Sequence, residues 1–268
     1  MVTGAGSGFG LATAVHLAGL GFRVIGAVPD DDGLAALGRG AASRGVEVEG
    51  VVTDLADPEA RARLSDGRRL YALVNNAGYL NAGLLRDIPD EDARRQLEVM
   101  VIGPLDLARR ALGPMLERGE GRIINLTSAA VHTSTPFSGW YQACKAALCE
   151  LTDALREELA DTPLVVVEVE SGGFATGIWP PARGELLRRR ATSVCPDAYE
   201  RPLALANRYE SRLGGPEDVA GAIAASLTTS RPRAHVRVGP DAGPLRLLAE
   251  VLPDRVWDRA VGRATEVA

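Results

Sequence analysis

The chain has 268 residues, 46% hydrophobic, 24% charged and 4% aromatic, which suits one large globular domain or two small ones. A net charge of −5 and a pI near 5.4 argue against a nucleic-acid partner. No apolar run reaches the roughly 18 residues that span a bilayer, and Met1-Val2-Thr3-Gly4 carries no basic stretch ahead of an apolar core, so neither a membrane span nor a secretory leader is expected.

Taken in chain order, short β-branched runs alternate with longer amphipathic ones. The first strand has only residues 1–3 before glycine-rich chemistry begins, against about five to six for a usual strand, so a start further upstream is expected. Helix 11–20 follows, then strand 22–28, an Ala/Leu-rich helix over 32–44 and strand 46–53. Asp57-Pro58-Glu59 opens a helix with an N-cap and a first-turn proline. Strand 70–75 precedes a long helical pattern over 90–118. Strand 122–127, a helix over 139–160, and strands 164–169 and 234–238 complete the rhythm. Nearly continuous apolar strands separated by helices predict a parallel sheet covered on both faces. No internal repeat or low-complexity linker occurs, so residues 1–268 read as one domain.

Two stretches depart from this rhythm. Residues 177–215, with Pro180-Pro181, Arg188-Arg189-Arg190, Trp179, Tyr199 and Tyr209, are long for a connection and predict a functional lid or a partly disordered stretch. The arginine triplet reads best as part of a solvated lid helix, with contact to an anionic substrate as the alternative. The tail over 243–264 predicts two short helices broken by Pro253.

Several chemistries lack their residues. Cys144, Cys149 and Cys195 form no Cys-x-x-Cys and fit a reducing cytoplasm. His16, His132 and His235 lie far apart without a metal-binding spacing. There is no Gly-x-Ser-x-Gly elbow, and a Walker P-loop would need a second lysine.

What the chain does carry is specific. Thr3-Gly4-Ala5-Gly6-Ser7-Gly8-Phe9-Gly10 opens a helix, where glycines let the backbone turn tightly and approach a pyrophosphate at free helix amides. Of thirty basic residues only Lys145 is a lysine, and it stands four residues after Tyr141, on the same helix face. A compact ammonium beside a phenol lowers the phenol's pKa from its usual value near 10, with desolvation working against it.

These pieces follow the order and spacing of the short-chain dehydrogenase/reductase family, which the chain resembles over nearly its whole length. The matching residues are Thr3-Gly4-x-x-x-Gly8-x-Gly10, Asp54-Leu55, Asn75-Asn76-Ala77-Gly78, Ser128, Tyr141-x-x-x-Lys145, and Gly172 followed by Thr176. Segments 238–242 and 252–255 resemble retinol and 17β-hydroxysteroid dehydrogenases. The resemblance implies an α/β single-domain Rossmann fold: a doubly wound, mostly parallel seven-stranded sheet with a substrate lid after strand six. It implies NAD or NADP bound by Thr3, Gly4, Ser7, Gly8, Phe9 and Gly10. Asp54 and Leu55 would hold the adenine, and Asn76, Ala77 and Gly78 would lie under its ribose. Lys145 would bind the nicotinamide ribose. Gly172 and Phe174 would face the nicotinamide, and Thr176 would hold its carboxamide or a phosphate. Tyr141 would be the general acid/base of carbonyl/alcohol interconversion and Ser128 would orient the substrate oxygen. The long helices over 90–118 and 139–160 would pack between subunits of a homodimer or homotetramer.

Three departures stand out. Met100 occupies the position of an Asn that, in the family, helps hold a relay water for the lysine; a thioether has only a weak acceptor. This motivates an alternative, a non-redox cyclisation, dehydration or isomerisation on the same fold; a non-catalytic dinucleotide-binding regulator is the second. Ser171 replaces the usual proline before Gly172, which predicts a looser loop. At the end of the second strand stand Val28 and Pro29, with no arginine, followed by Asp30-Asp31-Asp32, whose charge opposes a 2′-phosphate; NAD is expected over NADP. The apolar Ile178, Trp179 and Pro180 predict a fairly apolar substrate.

Overall fold

A computed structural model describes residues 1–174, 178–209, 215–239 and 242–264. Seven strands, β1 (Val2–Thr3), β2 (Ile25–Val28), β3 (Glu49–Val52), β4 (Ala72–Asn75), β5 (Gly121–Ser128), β6 (Leu164–Ser171) and β7 (His235–Val238), form one sheet in the order β3-β2-β1-β4-β5-β6-β7. Every pairing is parallel. The chain runs outward from β1 to β3, then returns to lay β4 on the other side of β1. That reversal leaves a crevice at the carboxyl ends of the strands, where open α/β sheets bind ligands.

The helices are α1 (Gly8–Gly19), α2 (Asp31–Ser43), α3 (Pro58–Ser65), α4 (Asp90–Leu97), α5 (Gly103–Arg118), α6 (Gly139–Glu158), α7 (Trp179–Arg190), α8 (Glu200–Tyr209), α9 (Glu217–Thr228), α10 (Ala242–Val251) and α11 (Asp254–Ala264). Successive strand residues point to opposite faces. Val74, Ile124 and Val167 therefore pack with Leu17 of α1 and Val219 and Ile223 of α9. Their neighbours Leu73, Ile123 and Val166 pack with Leu107 and Met115 of α5 and Leu155 of α6. Each such fully buried side chain contributes roughly 1.5–3 kcal/mol. Helix α9 has no counterpart among the sequence expectations; its Ala/Gly-rich run hides a buried stripe that packs on α1.

The helix expected over 90–118 is present throughout, with one change of winding. A π-helical turn over Glu98–Ile102 separates α4 from α5. The reason lies in Pro104 at the start of α5, which has no N–H to offer the Met100 carbonyl and whose ring crowds it. Gly103 fits the turn because a Cβ there would come within 2.9 Å of the Glu98 carbonyl oxygen.

The expected lid over 177–215 is helical where described, comprising α7, a 3-10 turn over Pro196–Tyr199, and α8; residues 177 and 210–214 lie outside the described residues. The tail forms α10 and α11 on either side of Pro253, as expected. Among the described residues no helix is long and apolar enough to cross a membrane.

Candidate active site

A cavity of about 860 Å³ opens along the carboxyl ends of β1 to β6, a size suited to a sizeable small molecule. One half is lined by the glycine loop and the ends of β2 and β3. The other half lies between Ser128, Tyr141, the 130–138 loop and the lid.

In the first half, Gly4 and Gly8 adopt positive φ (67° and 49°), which a side chain would strain. A Cβ on Gly4 would lie 2.8 Å from the Ala77 Cα, and one on Gly6 would lie 2.9 Å from the Gly33 Cα. The loop is thus a cradle built from backbone. Ser7 caps α1 without a side-chain bond and stands exposed, leaving the first helical amides facing the cavity rim. Gly4, Ser7, Gly8, Phe9, Asp54, Leu55, Asn76, Ala77, Gly78, Gly172 and Phe174 all line the cavity, and Phe9 and Phe174 meet edge to face at 5.3 Å.

Thr3 and Gly10 are not among the residues that line the cavity; both sit directly behind the cradle. Thr3 Oγ1 accepts from the backbone amides of Asn76 (3.0 Å) and Ala77 (3.1 Å), so it orients the loop that touches the cavity. Gly10 lets α1 press on the loop; a Cβ there would strike the Gly4 carbonyl oxygen and the Asn76 amide. That amide itself donates to Thr3 O at 2.7 Å, so Asn76 acts by stapling β4 to β1. Thr176 lies outside the described residues.

Asp54 is already engaged on both oxygens, accepting from the Ala56 amide (2.9 Å) and from Arg95 of α4 (3.0 Å). Arg95 also lines the cavity and had no signal in the sequence, because its partner is 41 residues away. At the end of β2, Asp30 caps α2 by accepting from the Gly33 amide at 2.8 Å.

The second half holds Ser128, Tyr141 and Lys145. Asn75 Nδ2 donates to Asn125 Oδ1 (2.9 Å), and Asn125 Nδ2 donates to Thr152 Oγ1 (2.8 Å). This buried chain ties β4 and β5 to α6, the helix that presents Tyr141 and Lys145. Lys145 is 4% exposed, donates to the Leu126 carbonyl at 2.6 Å, and has its Nζ 6.0 Å from the Tyr141 ring centre. Ser128 ends β5 directly opposite Ser171 of β6, and its Oγ accepts from the Ala130 amide. Ser128, Tyr141 and Lys145 thus converge on one cavity wall.

The electrostatics correct one expectation. Burial raises the Tyr141 phenol above its ordinary value, and the hydrogen bond with Ser128 offsets only part of that; Lys145 does not reverse the balance. Burial likewise lowers Lys145 to about 8, with the neighbouring Cys144 thiol acting the other way. Desolvation by burial is the largest cause for both groups.

Met100 is fully buried in the π-helical turn, packed with Val101 and Cys144. Its Sδ and Cε reach the same space beside Gly78 as Lys145 Nζ. Met100→Ala is expected to cost about 2–5 kcal/mol of stability, as for other buried large-to-small changes, measured by denaturant unfolding. A loss under about 1 kcal/mol would show that the site collapses freely around the gap.

Ser171 Oγ donates to Thr127 O (3.2 Å), the residue pairs with Val238, and the next amide, Gly172, donates to Val238 O (2.8 Å). These bonds tie down the end of β6, while residues 175–177 of the loop that follows lie outside the described residues. A separate cluster joins Asp153, Glu168 and His235. Glu168 faces His235 Nδ1 (2.6 Å) while Asp153 faces Nε2 (3.7 Å) and accepts from Arg156 (2.6 Å). Opposite ring nitrogens and an adjacent guanidinium make this a hydrogen-bonded ion cluster.

Known proteins match this geometry. Mouse retinol dehydrogenase 5 is 29% identical over 279 residues, covering 96% of this chain and 85% of its own. A short-chain dehydrogenase/reductase from Burkholderia phymatum, solved in complex with NAD, is 29% identical with a TM-score of 0.79, covering 93% of this chain and 92% of that one. An actinorhodin polyketide ketoreductase solved with NADPH is 28% identical with a TM-score of 0.75, covering 90% and 95%. The short chain dehydrogenase family model matches residues 1–186, which with the seven-stranded parallel sheet establishes that the chain is an oxidoreductase belonging to the short-chain dehydrogenase/reductase family.

Proposed function

We propose that the protein interconverts a carbonyl and a secondary alcohol on a fairly apolar substrate, with NAD as its cofactor. The observation that carries this reading is the convergence of Ser128, Tyr141 and Lys145 on a cavity that also contains the glycine cradle. When bound, the nicotinamide supplies or accepts the hydride. Gly4, Gly6 and the start of α1 would take its pyrophosphate, Asp54 with Arg95 its adenine end, and Lys145 its second ribose. Tyr141 transfers a proton at the substrate oxygen, and Ser128 orients that oxygen by a hydrogen bond. The substrate half is lined by Leu80, Phe137, Ile178, Pro181, Ala182 and Leu186, which favours an apolar body. The side chain of Trp179 lies outside the described residues.

NAD is favoured by Asp30 and Asp32, which line the cavity where the described residues at the end of β2 and the start of α2 offer no cation. A 2′-phosphate there would meet like charge. Three free thiols agree with a cytoplasmic location, and exposed Ile102 and Leu116 on the long helices agree with a homodimer or homotetramer.

The test supplies apolar ketones and secondary alcohols with each cofactor and follows nicotinamide absorbance against product. One cofactor should turn over per substrate, and NAD(H) should bind at least about tenfold tighter than NADP(H), the size of one like-charge contact. A tenfold preference for NADPH would sink the cofactor assignment. Met100 beside Lys145 supports a second reading, a non-redox step using Tyr141 alone; substrate consumption with constant absorbance would establish it.

A further inference from the structure

Arg189 stands out in the lid. Along α7 the buried residues Ala182, Leu186 and Arg189 form one stripe. The first two line the substrate half of the cavity. The third is a guanidinium only 3% exposed, contrary to the solvated helix expected from its sequence. Burying such a charge is costly unless it is paired and hydrogen-bonded. Arg189 is held by four acceptors: the Ala82 carbonyl (2.7 Å), Asn81 Oδ1 (2.5 Å), Asp92 (2.8 Å) and Glu185 (2.8 Å). Gly83 makes room for it, since a Cβ there would lie 2.6 Å from Arg189 Cδ.

The partners belong to the stretch that α7 packs against. Ala82 lines the cavity and shares one buried apolar cluster with Ala182 and Leu186. A second tie runs parallel: Tyr199, fully buried, donates to Asp87 (2.6 Å), accepts from the Leu84 amide (3.2 Å) and meets the Phe137 ring edge to face at 4.9 Å. Phe137 holds a left-handed φ of 70°, a strained conformation for a bulky residue, with its carbonyl taken by the Gly83 amide at 3.0 Å. Asp92 belongs to α4, whose Gln96 donates to Tyr79 O (2.8 Å) and whose Arg95 holds Asp54. One helix therefore ties α7 to the loops that follow β3 and β4.

We propose that Arg189 is a positioning residue for the substrate: it seats α7 against the 81–92 stretch and so fixes where the α7 face carrying Ala182 and Leu186 stands in the substrate half. This rests on the oxidoreductase reading only in placing the substrate against that face. Lysine is a poor substitute, because one compact ammonium cannot reproduce a fork that reaches four acceptors.

The test compares Arg189→Met, Arg189→Lys and Asp92→Asn with the wild type. Readouts are substrate KM and kcat, cofactor Kd, and amide exchange over 179–190. Arg189→Met should raise KM about tenfold or more, leave cofactor Kd within about twofold, and speed exchange in α7. Arg189→Lys should recover only part of the loss, and Asp92→Asn should move the same readouts less far. Unchanged exchange and KM in Arg189→Met would overturn the proposal, as would an equal loss of cofactor affinity. Should Arg189→Met not fold, Asp92→Asn decides by the same criteria. If the wild type turns over no carbonyl or alcohol, the activity reading fails, while exchange over 179–190 still judges the latch.

Discussion

Replacing Tyr141 by phenylalanine is expected to reduce turnover at least about a thousandfold, within the range of positioned acid–base groups, while cofactor affinity changes less than about twofold. The ring stays, so the wall keeps its shape and only the proton-transferring oxygen is lost. Ser128 cannot replace it, because a hydroxyl already accepting from Ala130 has no acidity near neutral pH. The pH dependence follows from the raised phenol. With Tyr141 as the proposed base, alcohol oxidation needs it ionised, and burial holds its pKa above the ordinary value. Oxidation should therefore climb about tenfold per pH unit below that pKa, whereas carbonyl reduction, which needs the protonated phenol, should stay flat over the same range. Initial rates in both directions across pH 6 to 9, with the cofactor saturating at every pH, check this. Retention of most turnover by Tyr141→Phe would remove the phenol from the mechanism.

Lys145→Met is expected to lose at least about a hundredfold in kcat/KM and, unlike Tyr141→Phe, to weaken cofactor binding as well. The two losses are separable because Lys145 faces the loop that ends at Gly78 as well as Tyr141. Burial lowers the ammonium to about 8. Its charge is fully present below that value and is lost as pH rises through it, so cofactor affinity should fall between pH 7 and 9. In Lys145→Met that fall should vanish. Lys145→Arg should not rescue, since a forked guanidinium does not fit a 4%-exposed site shaped around one bond to Leu126 O. Direct titration of NAD(H) at several pH values measures this; a pH-dependent affinity surviving in Lys145→Met would assign the titration to another group.

The short motifs were legible because their chemistry is local. Gly4, Gly6 and Gly8 are needed where the chain turns back on itself, and Tyr141 and Lys145 share a helix face through spacing alone. Strand periodicity likewise led to a parallel sheet, since Val/Leu/Ile runs buried on both faces admit little else. The long helix over 90–118 was legible as a helix, but its π-helical turn was not: hydrophobic period hides the turn, while the missing N–H of Pro104 produces it. Helix α9 was overlooked because small residues give a weak apolar signal although they pack closely on α1.

By itself, then, the sequence determined the class of fold, the glycine cradle and the Ser128, Tyr141 and Lys145 set, all properties carried by a few neighbouring residues. Only the tertiary structure decided which cations matter and how. Arg95 reaches Asp54 across 41 positions and Arg189 reaches Asn81 across 108. Tyr199 reaches Asp87 across 112. Such pairs leave no periodic trace, and in a chain with thirty basic residues nothing local separates a buried latch from a solvated arginine. The sign of the Tyr141 shift was equally a tertiary matter, because it depends on how completely the packed cavity wall strips water from the phenol, set against the single hydrogen bond from Ser128.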